Sequence, residues 1–317
     1  MQSVILAAGK GSRLHPITVN RSKAMLPIMG KPMVARVMET LVENGLDDFI
    51  LVVSPGDREI VDYFKAQTQP DVRVQFVIQS ERRGMANALS MAAGYISGDF
   101  LLTACDNLVP TREISQMLTL WKSQPRPNGI LALMEVPPEK IKSVGIVELD
   151  GEWVTDIIEK PDPNQVSSNI ASMPLYIFSK HILDYLPEVP LSPRGEYELQ
   201  DAIQMLIDRD GRVRGYHTSG RLTLTSPADL LVLNRHYLVN GNANQHNVPN
   251  TVGANTKLIL PLHIEAGVVI GAGCEIGPNV YIERDCHIGD GVTIRESVLL
   301  RSVTVKAESL IEGKVVS

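Results

Sequence analysis

Ile264, Ile270, Ile276, Ile282, Ile288 and Ile294 recur every six residues without a break, and Gly271, Gly277 and Gly289 follow three of them. A six-residue period with an inward aliphatic and a following glycine is the pattern of a hexapeptide parallel β-helix, in which each repeat buries its aliphatic face only by stacking on its neighbours. No other stretch constrains the fold so tightly. At three hexapeptides per coil the run predicts about two coils, too few to be stable alone. The tail is therefore expected to pack on the preceding domain or on another subunit.

The polar stretch from Asn240 to Asn250, with five asparagines, reads as the linker to this tail. The expected division is a domain over 1–239, a linker over 240–250 and the hexapeptide tail over 251–317. A length of 317 residues agrees with about two domains. The net charge of −6 gives no basic surface for nucleic acid, so any phosphate binding must come from local cations. Cys105, Cys274 and Cys286 are odd in number and lack C-x-x-C spacing, which indicates neither a disulfide framework nor a zinc site. The short N-terminal apolar run leads into a glycine loop rather than a cleavage site, and no stretch approaches the ~20 apolar residues of a membrane span. A cytoplasmic protein is expected.

From residue 31 to about 125, helix-like and strand-like segments alternate. Val37, Met38, Leu41 and Val42 recur at helical spacing, Phe49 to Val53 and Val72 to Ile78 read as strands, Ala86 to Tyr95 as a helix and Phe100 to Ala104 as a strand. This alternation predicts βαβ units and a mostly parallel Rossmann-like sheet, with ligands at the carboxyl ends of its strands. A β-rich insert is expected over about 129–225. Helices are expected from Glu196 to Asp208 and from Asp229 to Leu238, the latter capped by Ser226 with Pro227 in its first turn.

The first strand, Val4 to Ala8, breaks into Gly9-Lys10-Gly11-Ser12-Arg13-Leu14, followed by Ser22-Lys23-Ala24-Met25-Leu26-Pro27. Glycines after a β-strand leave backbone N–H groups able to face an anion, and Lys10, Arg13 and Lys23 add positive charge. Neither G-x-x-x-x-G-K-[ST] nor G-x-G-x-x-G spacing is present. The full string L-A-A-G-x-G-S-R-L with K-x-x-L-P downstream resembles the signature of the sugar-1-phosphate nucleotidylyltransferases. Arg13-Leu14-His15-Pro16 and Lys31-Pro32-Met33 look most like the glucose-1-phosphate thymidylyltransferase branch.

That resemblance implies transfer of a nucleotidyl group from dTTP or UTP to a sugar 1-phosphate, glucose 1-phosphate foremost, with pyrophosphate leaving. It also implies a left-handed β-helix for the tail and a homo-oligomer. Arg13 and Lys23 would be catalytic and steady the triphosphate, with Leu6, Ala8, Gly9, Gly11 and Ser12 lining the nucleotide site. Gln79 and Gly84 keep the spacing of the family's base-reading pair, and a primary amide matches a uracil or thymine edge. Asp106, after the Phe100 strand, would be catalytic and hold Mg²⁺, a hard cation that prefers carboxylate and phosphate oxygens. Asn107, Gly145, Glu159, Lys160, Asn169, Tyr176 and Arg194 correspond in order to the family's sugar-phosphate segments.

One position departs from the family pattern. Where W-x-D-x-G-T-x-x-x-L is usual, with the aspartate a second metal ligand, alignment on Ser226-Pro227 puts Thr223 at the aspartate position. A hydroxyl is a poorer Mg²⁺ ligand than a carboxylate. This departure motivates an alternative reading, a non-catalytic regulatory subunit that binds nucleotide sugar. A third reading makes the tail an acyltransferase with His263 or His287 as base.

Overall fold

A computed structural model describes residues 1–67, 70–240 and 251–317. It divides into two compact units, one made of Met1–Gly9 and Val37–Leu222, the other of Lys10–Arg36 and Thr223–Ser317.

The first unit is built on a nine-stranded sheet. Its strands in chain order are β1 (Gln2–Leu6), β2 (Asp48–Val53), β3 (Arg73–Ile78), β4 (Phe100–Ala104), β5 (Gly129–Glu135), β6 (Gly145–Asp150), β7 (Trp153–Glu159), β8 (Ile170–Phe178) and β9 (Val213–His217). In space they run β3-β2-β1-β4-β8-β5-β9-β7-β6. The block β3-β2-β1-β4 is parallel throughout, as the alternating pattern predicts. β8 then joins antiparallel to β4 and carries the sheet into the β-rich insert, so the insert extends the same sheet. A further antiparallel pairing of β8 with β6 brings Ser172 opposite Gly145. The helices named below are α1 (Met33–Val42), α2 (Arg58–Ala66), α3 (Met85–Ala92), α4 (Thr111–Trp121), α5 (Leu199–Asp210) and α6 (Pro227–Asn240).

The core of this unit joins strand residues Val4, Ile50, Val52, Leu102, Leu131 and Phe178 to Leu89 of α3 and Ile203 and Leu206 of α5. Strands buried on both faces read as continuous apolar runs, which is why Phe49 to Val53 and Phe100 to Leu102 were legible. β9 was not anticipated. Val213 is its one fully buried residue, and Arg214 and Gly215 interrupt any apolar pattern.

The second unit contains the tail, which forms three four-stranded parallel sheets whose strands alternate around the coil. Thr251 pairs with Val269 and Val269 with His287, 18 residues apart at each step. This agrees with the left-handed β-helix that the resemblance implies. The coil number is four rather than two. The inward positions run Val252, Leu258, Ile264, Ile270, Ile276, Ile282, Ile288, Ile294, Leu299, Val305, Ile311 and Val316, all in or against one apolar core. Valine and leucine replace isoleucine at both ends and the step shortens to five at Leu299 and again at Val316, so a strict isoleucine period undercounts the coils.

α6 belongs to this unit and contacts the tail strands Val298–Leu299 and Val315–Val316. Its start is a reciprocal cap. The Ser226 hydroxyl accepts the Asp229 N–H at 3.4 Å, and Asp229 Oδ2 accepts from Thr225 N, Thr225 Oγ1 and Ser226 N at 2.7, 2.6 and 2.8 Å. Burial raises the Asp229 pKa, but these hydrogen bonds outweigh it and hold the carboxyl below its ordinary value. The contribution is therefore present above about pH 4 and is lost as pH falls through the lowered folded pKa. Asp229→Asn is expected to lower stability by about 1 kcal/mol at pH 7, with a gap to wild type that closes below about pH 4 in denaturant melts; a pH-independent gap would contradict the assignment. The helix reaches Asn240, so the first expected linker residue is helical, while 241–250 lie outside the described residues.

Candidate active site

In the first unit, the expected nucleotide residues gather at the carboxyl ends of the parallel strands. Leu6 ends β1, and the Ala7 N–H donates to the Val52 carbonyl, so the chain is still held to the sheet as it enters the glycine loop. The Ala8 carbonyl accepts from the Ser54 hydroxyl at 2.9 Å and from Arg82 Nε at 2.8 Å. Gly9, which follows, is exposed.

Gln79 lies one residue beyond β3, is 4% exposed, and donates from Nε2 to the Gly84 carbonyl at 3.2 Å and to Asn87 Oδ1 at 2.8 Å. With both Nε2 hydrogens committed, the carbonyl Oε1 is the group of this amide that can meet an N–H donor. Gly84 has φ +99°, and a β-carbon there would stand 2.4 Å from the Tyr197 carbonyl oxygen. The close approach is fixed by two backbone bonds, Tyr197 N to Arg83 O at 2.7 Å and Ala86 N to Tyr197 O at 3.1 Å.

Asp106 and Asn107 follow β4. Thr103 Oγ1 and Asn107 Nδ2 both donate to the Pro174 carbonyl, at 3.0 and 3.4 Å. Arg221 Nη1 donates to Asn107 Oδ1 at 3.3 Å. Burial pulls the Arg221 guanidinium below its ordinary pKa, opposed by the neighbouring Asp106 carboxylate, and an arginine so shifted stays protonated. Among the described residues no three His, Cys, Asp or Glu side chains converge on a metal cage. One carboxylate is nevertheless a sufficient protein contribution for a cation that takes its other ligands from water and substrate phosphate, so Asp106 fits Mg²⁺ in that mode.

A second cluster forms where β6, β7 and β8 meet. Register places Gly145 opposite Glu159 on β7 and opposite Ser172 on β8. Glu159 Oε1 is 3.2 Å from Lys160 Nζ and 3.6 Å from Arg194 Nη2, and Arg194 also pairs with Glu198 at 2.7 Å. Burial pushes the Glu159 carboxyl above its ordinary value, against the pull of Lys160 and Arg194. Lys160 has φ +48°, a conformation side chains seldom adopt, which turns the chain at the end of β7. Tyr176 is buried, accepts from Ser172 Oγ at 3.4 Å, and has its phenol pushed up to about 12 by that burial. A β-carbon at Gly145 would stand 3.0 Å from Glu159 Oε2 and 3.2 Å from the Gln200 side chain. Asn169 is exposed and is bonded to the strand end, its Nδ2 donating to the Val136 carbonyl at 3.3 Å. Its carbonyl in turn accepts the Val136 N–H at 2.9 Å, so Asn169 is tied to Val136 rather than to this cluster.

In the second unit, Ser12–Leu14 is a 3₁₀ turn that follows Gly11 at φ +63°. Ser12 and Arg13 are exposed. Lys23 opens a second 3₁₀ turn, Lys23–Met25, and its β-carbon lies 3.0 Å from where a β-carbon on Gly11 would be. The Thr18 hydroxyl donates to the Gly11 carbonyl at 2.9 Å. The two halves of the motif are therefore packed backbone to side chain, and only glycine fits at 11.

Residues 2–221 match the nucleotidyl transferase family. The chain belongs to that family. Residues 258–317 of this nucleotidyl transferase match the family described as the GMPPB C-terminal domain. The bifunctional protein GlmU of Methanococcus maripaludis is 27% identical over 342 residues, covering 100% of this chain and 77% of the relative. A glucose-1-phosphate thymidylyltransferase of Streptomyces griseus is 28% identical over 335 residues, covering 100% of this chain and 92% of its own length. The UTP–glucose-1-phosphate uridylyltransferase AglF of Haloferax volcanii is 32% identical over 213 residues, 67% of this chain and 85% of AglF. A crystal structure of UDP-glucose pyrophosphorylase with UDP-glucose shares the fold, with a TM-score of 0.67 and 24% identity over 74% of this chain and 97% of that one.

Two cations of this nucleotidyl transferase were not singled out by the motif. Arg82 sits in the run Glu81-Arg82-Arg83, which reads as a solvated loop, yet its Nε is bound to the Ala8 carbonyl. Arg221 stands where the family string has tryptophan, and only the fold brings it to Asn107. The alignment that exposed Thr223 was the one signal that could have drawn attention to it.

Proposed function

We propose that this nucleotidyl transferase joins the nucleotidyl group of dTTP or UTP to a sugar 1-phosphate, with glucose 1-phosphate the first acceptor to test. A phosphate oxygen of the sugar attacks the α-phosphorus, the bond from that phosphorus to the bridging oxygen breaks, and pyrophosphate leaves with the electron pair. The observation that carries this reading is the gathering of Ala8, Gln79, Asp106 and Asn107 at the carboxyl ends of one parallel block within the family match.

Each residue then has a task. Arg13 and Lys23 neutralise the triphosphate, and Gly9, Gly11 and Ser12 offer backbone N–H groups to it. Gln79 Oε1 accepts the N3–H of a pyrimidine, with Gly84 locking the amide's other end. Arg194 and Lys160 attract the sugar phosphate, Glu159 accepts from sugar hydroxyls, and Tyr176 stays a neutral donor. Asn107 and Asn169 complete the sugar-phosphate contacts. Mg²⁺, when held at Asp106, supplies charge neutralisation on substrate phosphates. Arg221 adds a fixed cation beside Asp106 that can face substrate phosphate; it is not a metal ligand and does not replace the carboxylate missing at Thr223. We also propose the division into a catalytic domain over 1–239, a linker over 240–250 and a tail over 251–317, in a cytoplasmic homo-oligomer. No helix among the described residues is long and apolar enough to cross a membrane.

The regulatory alternative is not favoured, since the family match spans 2–221 and the Streptomyces griseus relative named as a transferase aligns over the whole chain. An acyltransferase role for the tail finds no support in its histidines. His263 is stacked on Tyr281 with ring centroids 5.8 Å apart, and His287 is exposed on a tail strand.

Pyrophosphate release by the purified chain, with Mg²⁺, across a grid of nucleoside triphosphates and sugar 1-phosphates tests the reading. The expected result is activity with dTTP or UTP and glucose 1-phosphate. A grid blank throughout, from folded protein that binds nucleotide, would return the regulatory reading to first place.

A further inference from the structure

Between the two halves of the motif lies Arg21, an arginine only 8% exposed. Its guanidinium meets Glu283 of the tail in a two-pronged pair, Nη1 to Oε2 at 2.9 Å and Nη2 to Oε1 at 2.6 Å. Glu283 is 5% exposed, and its Oε2 also accepts the Arg301 backbone N–H at 2.8 Å. Arg284 and Asp285, next along the same turn, face solvent, whereas Glu283 is covered. A bidentate pair withdrawn from water is geometrically exacting, because neither charge can move off its partner without being stranded in a poor solvent.

Arg21 is two residues from Lys23, and the backbone between them is already folded. Met25 N–H donates to the Ser22 carbonyl at 3.0 Å and Leu26 N–H to the Lys23 carbonyl at 3.2 Å. Lys23 packs on Gly11, which starts the turn that carries Arg13. A second tie holds the far side of the segment. Pro27–Ile28 and Lys31–Pro32 form a hairpin turning at Met29 and Gly30, both at positive φ, and the Met29 N–H donates to Asn234 Oδ1 at 2.8 Å. A β-carbon on Gly30 would lie 3.4 Å from His263 Nε2 of the tail.

We propose that Glu283 is a positioning residue for nucleotidyl transfer: through Arg21 the β-helix sets where Lys23 and Arg13 stand. The inference rests on assigning those two cations to the triphosphate. It gives the tail a task in the reaction itself, since the tail reaches the motif through a charge pair that only one loop conformation satisfies.

Steady-state kinetics test it, with the KM for each substrate measured separately on the full chain. Glu283→Gln keeps the side-chain shape but leaves Arg21 buried without a counter-charge. It is expected to raise the KM for the nucleoside triphosphate about tenfold, while the KM for sugar 1-phosphate changes less than about twofold. Glu283→Asp, which keeps the charge, should recover part of the loss. Arg295→Gln removes a tail pair with Glu275 that does not involve the motif, and should leave both constants at wild type. A wild-type nucleotide KM in folded Glu283→Gln, or an equal rise in both constants, overturns the proposal. Where Glu283→Gln does not fold, the double variant Arg21→Met/Glu283→Leu fills the same space with apolar groups and is judged by the same selective rise. Lys23→Ala measured alongside separates the two levels. If it too leaves the nucleotide KM and turnover untouched, the triphosphate assignment falls and takes the proposal with it; if only Glu283→Gln is silent, the assignment stands and the link alone fails.

Discussion

Lys23→Ala is expected to lower nucleotidyl transfer by about 10²- to 10³-fold in protein that still folds. Two anions must approach in line for this reaction, so most of the catalysis is positioning and charge neutralisation, and a fixed cation at the triphosphate is worth most at the transition state. Lys23 opens the 3₁₀ turn Lys23–Met25 and sets its β-carbon, which alanine keeps, against Gly11. Truncation therefore removes charge and leaves the loop in place. Asp106→Ala should be comparably severe, and pyrophosphate release with dTTP and UTP reads both. Near-normal rates in either folded variant would remove that residue from the reaction.

Gly84→Ala is expected to have a large effect on folding for a single added methyl. The new carbon would stand 2.4 Å from the Tyr197 carbonyl oxygen and 2.9 Å from its nitrogen, at φ +99°. Both neighbours are backbone, pinned by hydrogen bonds to Arg83 and Ala86, so neither can swing aside. Strain and clash together should lower stability by about 2–4 kcal/mol. The Gln79 amide, anchored on the Gly84 carbonyl, should lose its orientation as well. Gly56→Ala is the matched comparison, because Gly56 also has positive φ but nothing lies within 4 Å of its added carbon. A Gly84→Ala melt no lower than that of Gly56→Ala would mean that the contact with Tyr197 is not rigid.

The parallel block was legible because Val4, Phe49 to Val53 and Phe100 to Leu102 are apolar on both faces, a run with few alternative uses. The tail was legible because a six-residue period has hardly any other structural meaning. Its coil number was not, since Val252, Leu258, Leu299, Val305 and Val316 fill inward positions that an isoleucine count passes over. β9 escaped because a strand with neighbours on both sides can take its burial from them, and Arg214 and Gly215 look like loop. The same limit applies to the site. Gln79, Gly84 and Asp106 stand at spacings within reach of a motif, whereas Arg221 reaches Asn107 and Arg21 reaches Glu283 across 114 and 262 residues of chain. Pairings of that range follow from the completed fold and have no local signal.

The coil's period also restricts how this tail can change in length. Residues 18 apart stack on one face, so a single hexapeptide insertion would shift every later residue to the next face of the triangular prism. The apolar interior would tolerate that shift, because one inward aliphatic would replace another. Glu283 would not: one hexapeptide inserted before it would carry the carboxylate away from Arg21. Whole turns can be added beyond Glu283 with no such consequence. Single hexapeptides between Glu283 and Val298 would likewise turn away the strands that meet α6, so indels in tails of this kind should come in whole turns.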